Sequence, residues 1–227
     1  MKPMRRFQRR KNAKTEHASI KEKNIKQKTA GTEVSMNEFH ESHMKRWDQV
    51  CKNIRNVRDY DTMIYIGALA KSKYPSGMHL MPYFKEANYT TDVMEIWGPN
   101  VKSLIELNEK MAIFRTIFKG DVRLTDSILK NACYDIVVWW HGPEHLEIDE
   151  IPPTLTKLER IAKHLVILGM PYEREPRKGH NDNPYEKHKC ALFPDFFEKL
   201  GYSTDHYGRM GHFPNNLLAW KRTNDVV

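Results

Sequence analysis

The sequence predicts an α/β fold: a doubly wound, mostly parallel seven-stranded sheet with an antiparallel C-terminal hairpin, preceded by an N-terminal helix and a disordered basic tail. Three observations predict it. From residue 60 onward short apolar runs alternate with helical stretches, the order of a parallel sheet covered by helices on both faces. The chain closes on two strand-like runs joined by the Gly- and Pro-containing loop GRMGHFPNN, which reads as a hairpin. The 227 residues, 40% of them hydrophobic, suffice for one full-sized core with extensions rather than a second domain.

Residues 1–34 read as a disordered basic tail, because they hold too few large apolar side chains to offset the entropy of ordering. Residues 35–59 read as an amphipathic helix. Ser35 and Glu38 have capping-box spacing, and Met36, Phe39, His43, Trp47, Val50, Cys51, Ile54 and Val57 follow at helical intervals. Trp47 is expected to pack this helix on the domain.

Residues 60–223 form the domain proper. Strands are expected at Thr62–Ile66, Asp92–Trp97, Ile113–Phe118, Asp135–Trp140 and Leu165–Leu168. Helices are expected at Met78–Glu86, Val101–Met111 and Pro153–Ala162, the last begun by prolines suited to a first turn. Another, Pro194–Leu200, stops at Gly201. The closing strands are Tyr202–Tyr207 and Leu217–Lys221, which makes the last one antiparallel to its neighbours.

Charge and cysteines narrow the function classes. The net charge is +8, yet residues 1–30 alone hold eleven Lys/Arg against Glu16 and Glu22, a net of +9, so the rest of the chain is close to neutral. The body therefore offers no basic groove for a nucleic acid. Residues 1–33 are read first as a solubilising tail and second as a weak contact to RNA or an acidic surface. Cys51, Cys133 and Cys190 are odd in number, far apart and without CxxC spacing, as expected of reduced thiols in a cytoplasmic protein. No apolar run reaches the length of a membrane span, and no signal-peptide core is present, so no membrane partner is expected.

In a doubly wound sheet the ligand lies beyond the carboxyl ends of the strands. The residues just past them are Gly67-Ala68, Glu95 to Gly98, Gly120-Asp121, Trp140-His141-Gly142 and, after the fifth, Met170-Pro171-Tyr172 with the long loop toward His188. A carboxylate at the second strand end can accept from both hydroxyls of a ribose, and one at the third from an exocyclic adenine amine. Glu95 carries the stronger signal, since an acid in an apolar buried strand is costly without a partner. Asp121 also fits a simple turn cap. Trp139 and Trp140 alternate faces, so one belongs to the core and the other is placed to wall a pocket.

The ordered set YDIVVWWHGPEHL, HLVILGMPY and NPYEKHKCALFPDFFEKLGY, with DVMEIW and KGDV upstream, resembles the class I (Rossmann-like) S-adenosylmethionine-dependent methyltransferases over about residues 62–222. The resemblance implies an enzyme that binds S-adenosylmethionine as cofactor and methylates an unidentified acceptor, with a small molecule or protein favoured by the near-neutral body. It implies that Glu95 and Ile96 hold the ribose, that Asp121 and the Val122 amide hold the adenine, and that Trp140-His141 flank the methionine part, with His141 as the base where one is needed. Gly67 and Ala68 stand at the first loop, YIGALAKSKYPSG, which departs from the family's GxGxG and keeps only Gly67. The competing reading is a non-catalytic domain that kept the fold and uses its basic tail as a nucleic-acid tether.

The loop RKGHNDNPYEKHKC is placed over the pocket mouth, and Glu144, Asn183 and Tyr185 are the candidates for contacting the acceptor. His141, Glu144 and His145 have the HxxEH spacing of an inverted zinc-protease motif, for which His180 or His188 could serve as a third ligand. That motif needs a regular helix, which Gly142-Pro143 disfavours. The metalloprotease reading therefore ranks below methyl transfer, and no metal ligands are assigned.

Overall fold

The computed structural model describes residues 27–29, 32–34, 36–57, 61–68, 90–174, 176, 183–210 and 215–223, with side chains from Met44 on. The cap at Ser35, the helix expected at Met78–Glu86 and His180 lie outside the described residues. Within residues 1–34, β1 (Gln27–Thr29) pairs antiparallel with β2 (Thr32–Val34) and, among the described residues, joins no other strand.

Helix α1 (Met36–Arg55) follows, then β3 (Thr62–Ile66), β4 (Thr90–Glu95), α2 (Gly98–Met111) and β5 (Phe114–Lys119). After a 3-10 turn at Val122–Leu124 come α3 (Thr125–Ile128), β6 (Tyr134–Trp140), a second 3-10 turn at Pro143–His145, α4 (Ile151–Ile161) and β7 (Ala162–Pro171). The chain ends with α5 (Pro194–Glu198), β8 (Ser203–Gly208) and β9 (Asn215–Arg222). Every strand and helix expected within the described residues is present, with ends displaced by up to four residues.

The seven-stranded sheet has the order β5-β4-β3-β6-β7-β9-β8. The first five strands run parallel, and β9 is antiparallel to both β7 and β8, as the hairpin reading requires. The alternation of side chains along each strand divides the core between the two faces. On one face Trp47, Val50 and Ile54 of α1 and Leu104 of α2 cover Met63, Tyr65, Val93, Val138 and Trp140. On the other, Ile151, Leu155 and Leu158 of α4 and Phe197 of α5 cover Ile64, Ile66, Val137, Trp139 and Leu168. Strands buried on both faces read as continuous apolar runs, which is why β6 and β7 are legible as strands in the sequence. Among the described residues no helix is long and apolar enough to cross a membrane.

Candidate functional site

The sheet changes winding direction between β3 and β6, so the crevice at the carboxyl ends of these strands is the ligand position of the fold. Gly67 lies at its floor. It has φ of +83°, its amide donates to the Met94 carbonyl at 3.0 Å, and a Cβ added there would stand 2.5 Å from the Trp140 carbonyl oxygen. Only glycine allows the two strand ends to approach this closely. Ala68 is fully buried beside it.

Glu95 ends β4 and is 7% exposed. Its Oε1 accepts from the Trp97 amide at 2.8 Å, and the Asn100 side chain and the Ile96 amide also favour its ionised form. Burial outweighs these bonds and, helped by the charge of Glu186, pushes the carboxyl up to about 7.

Asp121 and Trp140 both have partners within the protein. Asp121 caps the 3-10 turn by accepting from the Arg123 amide at 2.9 Å, and both its oxygens meet the Arg123 guanidinium, which also reaches Glu150 at 2.6 Å. The quieter turn-cap role is thus the one the side chain visibly performs. Val122 is half-buried within that turn. Trp140 does not flank an open pocket with its ring. Its indole is 5% exposed, stacks on Trp47 at 5.6 Å and lies under the buried Arg46 guanidinium at 4.4 Å, because α1 covers that face. Trp139 is buried on the opposite face, so both tryptophans are core. Burial pulls Arg46 down to about 9, opposed by the charge of Glu144, and it stays cationic at neutral pH.

His141 lies just past β6 with φ of +47°, a left-handed conformation that a non-glycine residue adopts at some cost. Its amide donates to the Gly169 carbonyl at 2.6 Å. Its Nδ1 is 3.2 Å from Glu144 Oε1, while the side chain remains 43% exposed. The surrounding protein pulls the imidazole pKa below its ordinary value, opposed by the Glu144 hydrogen bond. Glu144 is buried. Burial alone would raise its carboxyl, but the His141 hydrogen bond and the charges of His145, His141 and His188 hold it at about 2. Its Oε2 is buried without a hydrogen-bond partner among the described residues.

Asn183 is buried and closes a turn, accepting from the Tyr185 amide at 3.0 Å, and Tyr185 is 45% exposed. The segment that follows is strapped to the end of β6: the Lys189 amide donates to the Glu144 carbonyl at 2.7 Å. The structure thus brings His141, Glu144, His145 and His188 together and leaves Asp121 in its own ion pair. The pentad His141–His145 contains a 3-10 turn rather than an α-helix, so the inverted zinc-protease geometry is not formed. Arg46 and Glu173 were not foreseen. Arg46 reads as a surface cation on an amphipathic helix, and Glu173 lies in a polar stretch without any motif, so neither left a signal in the sequence.

The strand order and the antiparallel last strand are those of the class I S-adenosylmethionine-dependent methyltransferase fold, and solved structures of that class match the chain. The magnesium protoporphyrin IX methyltransferase of Synechocystis PCC 6803, solved with bound SAH, superposes with a TM-score of 0.54 at 15% identity, covering 82% of this chain and 85% of that one. A SAM-dependent methyltransferase from Archaeoglobus fulgidus gives 0.55 at 13% identity over 82% of this chain and 96% of that one. The PH0226 protein of Pyrococcus horikoshii OT3 gives 0.58 at 9% identity over 81% and 90%. No family model matches the sequence, and no curated protein matches it. At these identities the likeness establishes the fold.

Proposed function

We propose that the protein is an S-adenosylmethionine-dependent methyltransferase whose cofactor lies across the ends of β3, β4 and β6. The observation that carries this reading is Glu95, a buried acid at the second strand end of a methyltransferase fold, beside a Gly67 that keeps the crevice floor clear. In this reading Glu95 accepts from the ribose hydroxyls, and the half-buried Ile96 and Val122 border the nucleoside. Methyl transfer from a sulfonium needs mainly alignment and exclusion of water, because the leaving group is already activated. The acceptor is a small molecule or a protein side chain, entering past Glu144, Asn183 and Tyr185.

His141 is the group in this reading that removes a proton from an acceptor arriving protonated. A buried carboxylate at its Nδ1 fixes the tautomer that leaves Nε2 as proton acceptor, the arrangement of an oriented general base. If His141→Ala retained full turnover from about pH 6 to 9, it would have no such role.

Calorimetry of the full chain with S-adenosylmethionine and its demethylated product tests the central claim. We expect saturable binding, weakened at least tenfold in Glu95→Ala. Absence of binding heat for either ligand would leave a non-catalytic domain, and undiminished affinity in Glu95→Ala would move the cofactor elsewhere. The basic residues 1–33 are proposed as a weak contact to RNA or an acidic surface, and a chain lacking them that bound RNA equally well would remove that role.

A further inference from the structure

The seam between the end of β6 and the segment 183–190 gathers one carboxylate and two imidazoles whose remaining atoms are already positioned. Glu144, His145 and His188 each offer a ligating atom, and these atoms lie within 4.8 Å of one another. Donors around a tetrahedral ion sit roughly 3.3 Å apart, so small side-chain rotations would close the set. The two rings stand 5.0 Å apart, nearly edge to face.

Each imidazole is held from behind. His188 Nδ1 is 3.1 Å from Glu173 Oε2, and Glu173 is itself buried. His145 Nδ1 is 3.2 Å from the Lys187 carbonyl oxygen. A carbonyl accepts only, so His145 carries its proton on Nδ1 and directs the Nε2 lone pair inward, where it stands 3.9 Å from Glu144 Oε1. Metal-binding histidines almost always donate their second ring nitrogen to a carboxylate or a backbone carbonyl in this manner.

Glu144 supplies the second, independent observation. Its side chain is 4% exposed, Oε1 is engaged by His141, and Oε2 has no hydrogen-bond partner among the described residues. A network that served only to pin the segment would not strand a buried carboxylate oxygen beside two imidazoles.

We propose that Glu144, His145 and His188 bind one divalent transition-metal cation, with Glu173 and the Lys187 carbonyl orienting the two imidazoles. Two nitrogens and one carboxylate oxygen suit zinc, cobalt or manganese rather than an all-oxygen magnesium site. Three protein ligands leave a coordination position for water or for an oxygen of a bound acceptor, on the crevice side of the fold. Nearby Cys190 stands outside this set, with its Sγ donating to the Pro143 carbonyl at 3.8 Å. The site stands independently of cofactor binding.

Tag-free full-length chain, stripped with a chelator and titrated calorimetrically with Zn2+ and with Co2+, tests it. We expect one equivalent bound, a visible Co2+ absorption band typical of a low-coordinate site, and a raised Tm with metal. His145→Ala and His188→Ala should each weaken binding more than a hundredfold, and Glu173→Gln about tenfold to a hundredfold. His164→Ala, on β7, should bind as the parent does. Failure of the parent chain to take up a stoichiometric ion would overturn the proposal, as would His188→Ala binding with parental affinity. If His145→Ala does not fold, His188→Ala and Glu173→Gln decide the matter, because their side chains belong to connecting segments rather than to a strand or helix.

Discussion

The two ends of the parallel sheet handle buried charge in opposite ways. At the amino end, Asp135 Oδ2 accepts from the Asp61 amide, the Thr62 amide and Thr62 Oγ1 at 2.9, 2.8 and 2.7 Å, and Oδ1 meets Lys163 at 2.7 Å. Burial would raise its pKa, but these donors hold the carboxyl well below the usual range. Asp92 is likewise closed off by the Arg115 guanidinium and the Tyr134 hydroxyl. At the carboxyl end, Glu95 is pushed up to about 7, Glu144 keeps one oxygen without a hydrogen-bond partner among the described residues, and His141 holds a left-handed backbone. One end uses its polar capacity to tie three strands together; the other keeps capacity in reserve. Reserve of this kind is what a binding edge needs, because a fully satisfied carboxylate has nothing left to offer a ligand.

Breaking the amino end should have the largest effect on stability and none on binding. Asp135→Ala removes the acceptor for two backbone amides and a hydroxyl while Lys163, 41% exposed at its side chain, can turn to water. We expect a loss of about 3 kcal/mol, chiefly from the stranded donors. Urea unfolding measures it, and cofactor affinity measured well below the new midpoint should be unchanged. The same pairing predicts acid sensitivity. An Asp whose folded pKa is depressed contributes stability above its unfolded pKa, and this contribution is lost as pH falls through the acid range toward the folded value. A fall in cofactor affinity in Asp135→Ala matching the stability loss would mean that the two ends are not separable.

Substitution at the carboxyl end should cost less stability and more function. In Gly67→Ala the new Cβ meets the Trp140 backbone oxygen at 2.5 Å, and alanine must also adopt φ of +83°. We expect a loss of about 2 kcal/mol in unfolding experiments, together with loss of detectable cofactor binding. A stable variant that still binds would show that β3 and β6 can spread, and that the crevice floor is not set by this contact.

The division between the two ends also marks what the sequence could reveal. Strands buried on both faces declare themselves, but their limits do not. β4 is shifted toward Thr90 and Thr91, polar residues that resemble a loop, while Ile96 and Trp97 are apolar beyond the ladder. β7 extends through Lys163, His164 and Gly169; the glycine interrupts the apolar pattern because a Cβ there would lie 2.5 Å from the Trp140 ring. Within the site, Glu95 was legible because an acid inside an apolar run is costly. The pairing of Asp121 with Arg123, two residues on, competes with a ligand role and has no periodic signature. The convergence of His145 with His188, and of Glu173 behind it, depends on how a long connection returns to β6. Spacing along the chain does not encode that return.

The smallest predicted effect sharpens the comparison most, because it reads the reserve at Glu95 directly. Ribose hydroxyls donate to an ionised carboxylate better than to a neutral acid, so cofactor binding should favour the deprotonated form and release a proton. With the free-state carboxyl near 7, about half of the protein carries the competent form at that pH, and the apparent affinity should rise roughly tenfold between pH 6 and pH 8. Native stability should change in the opposite direction. A carboxyl raised above its unfolded value favours the folded state while protonated, and that contribution is lost as pH climbs through the folded pKa. Glu186, whose charge pushes Glu95 the same way, should enter the profile as well: Glu186→Gln should shift the midpoint to lower pH. In Glu95→Gln the rise in affinity should vanish, leaving weaker and pH-independent binding. Parental affinity that stayed flat from pH 6 to pH 8, in a chain that does bind the cofactor, would assign Glu95 to the closed kind of acid found at the other end of the sheet.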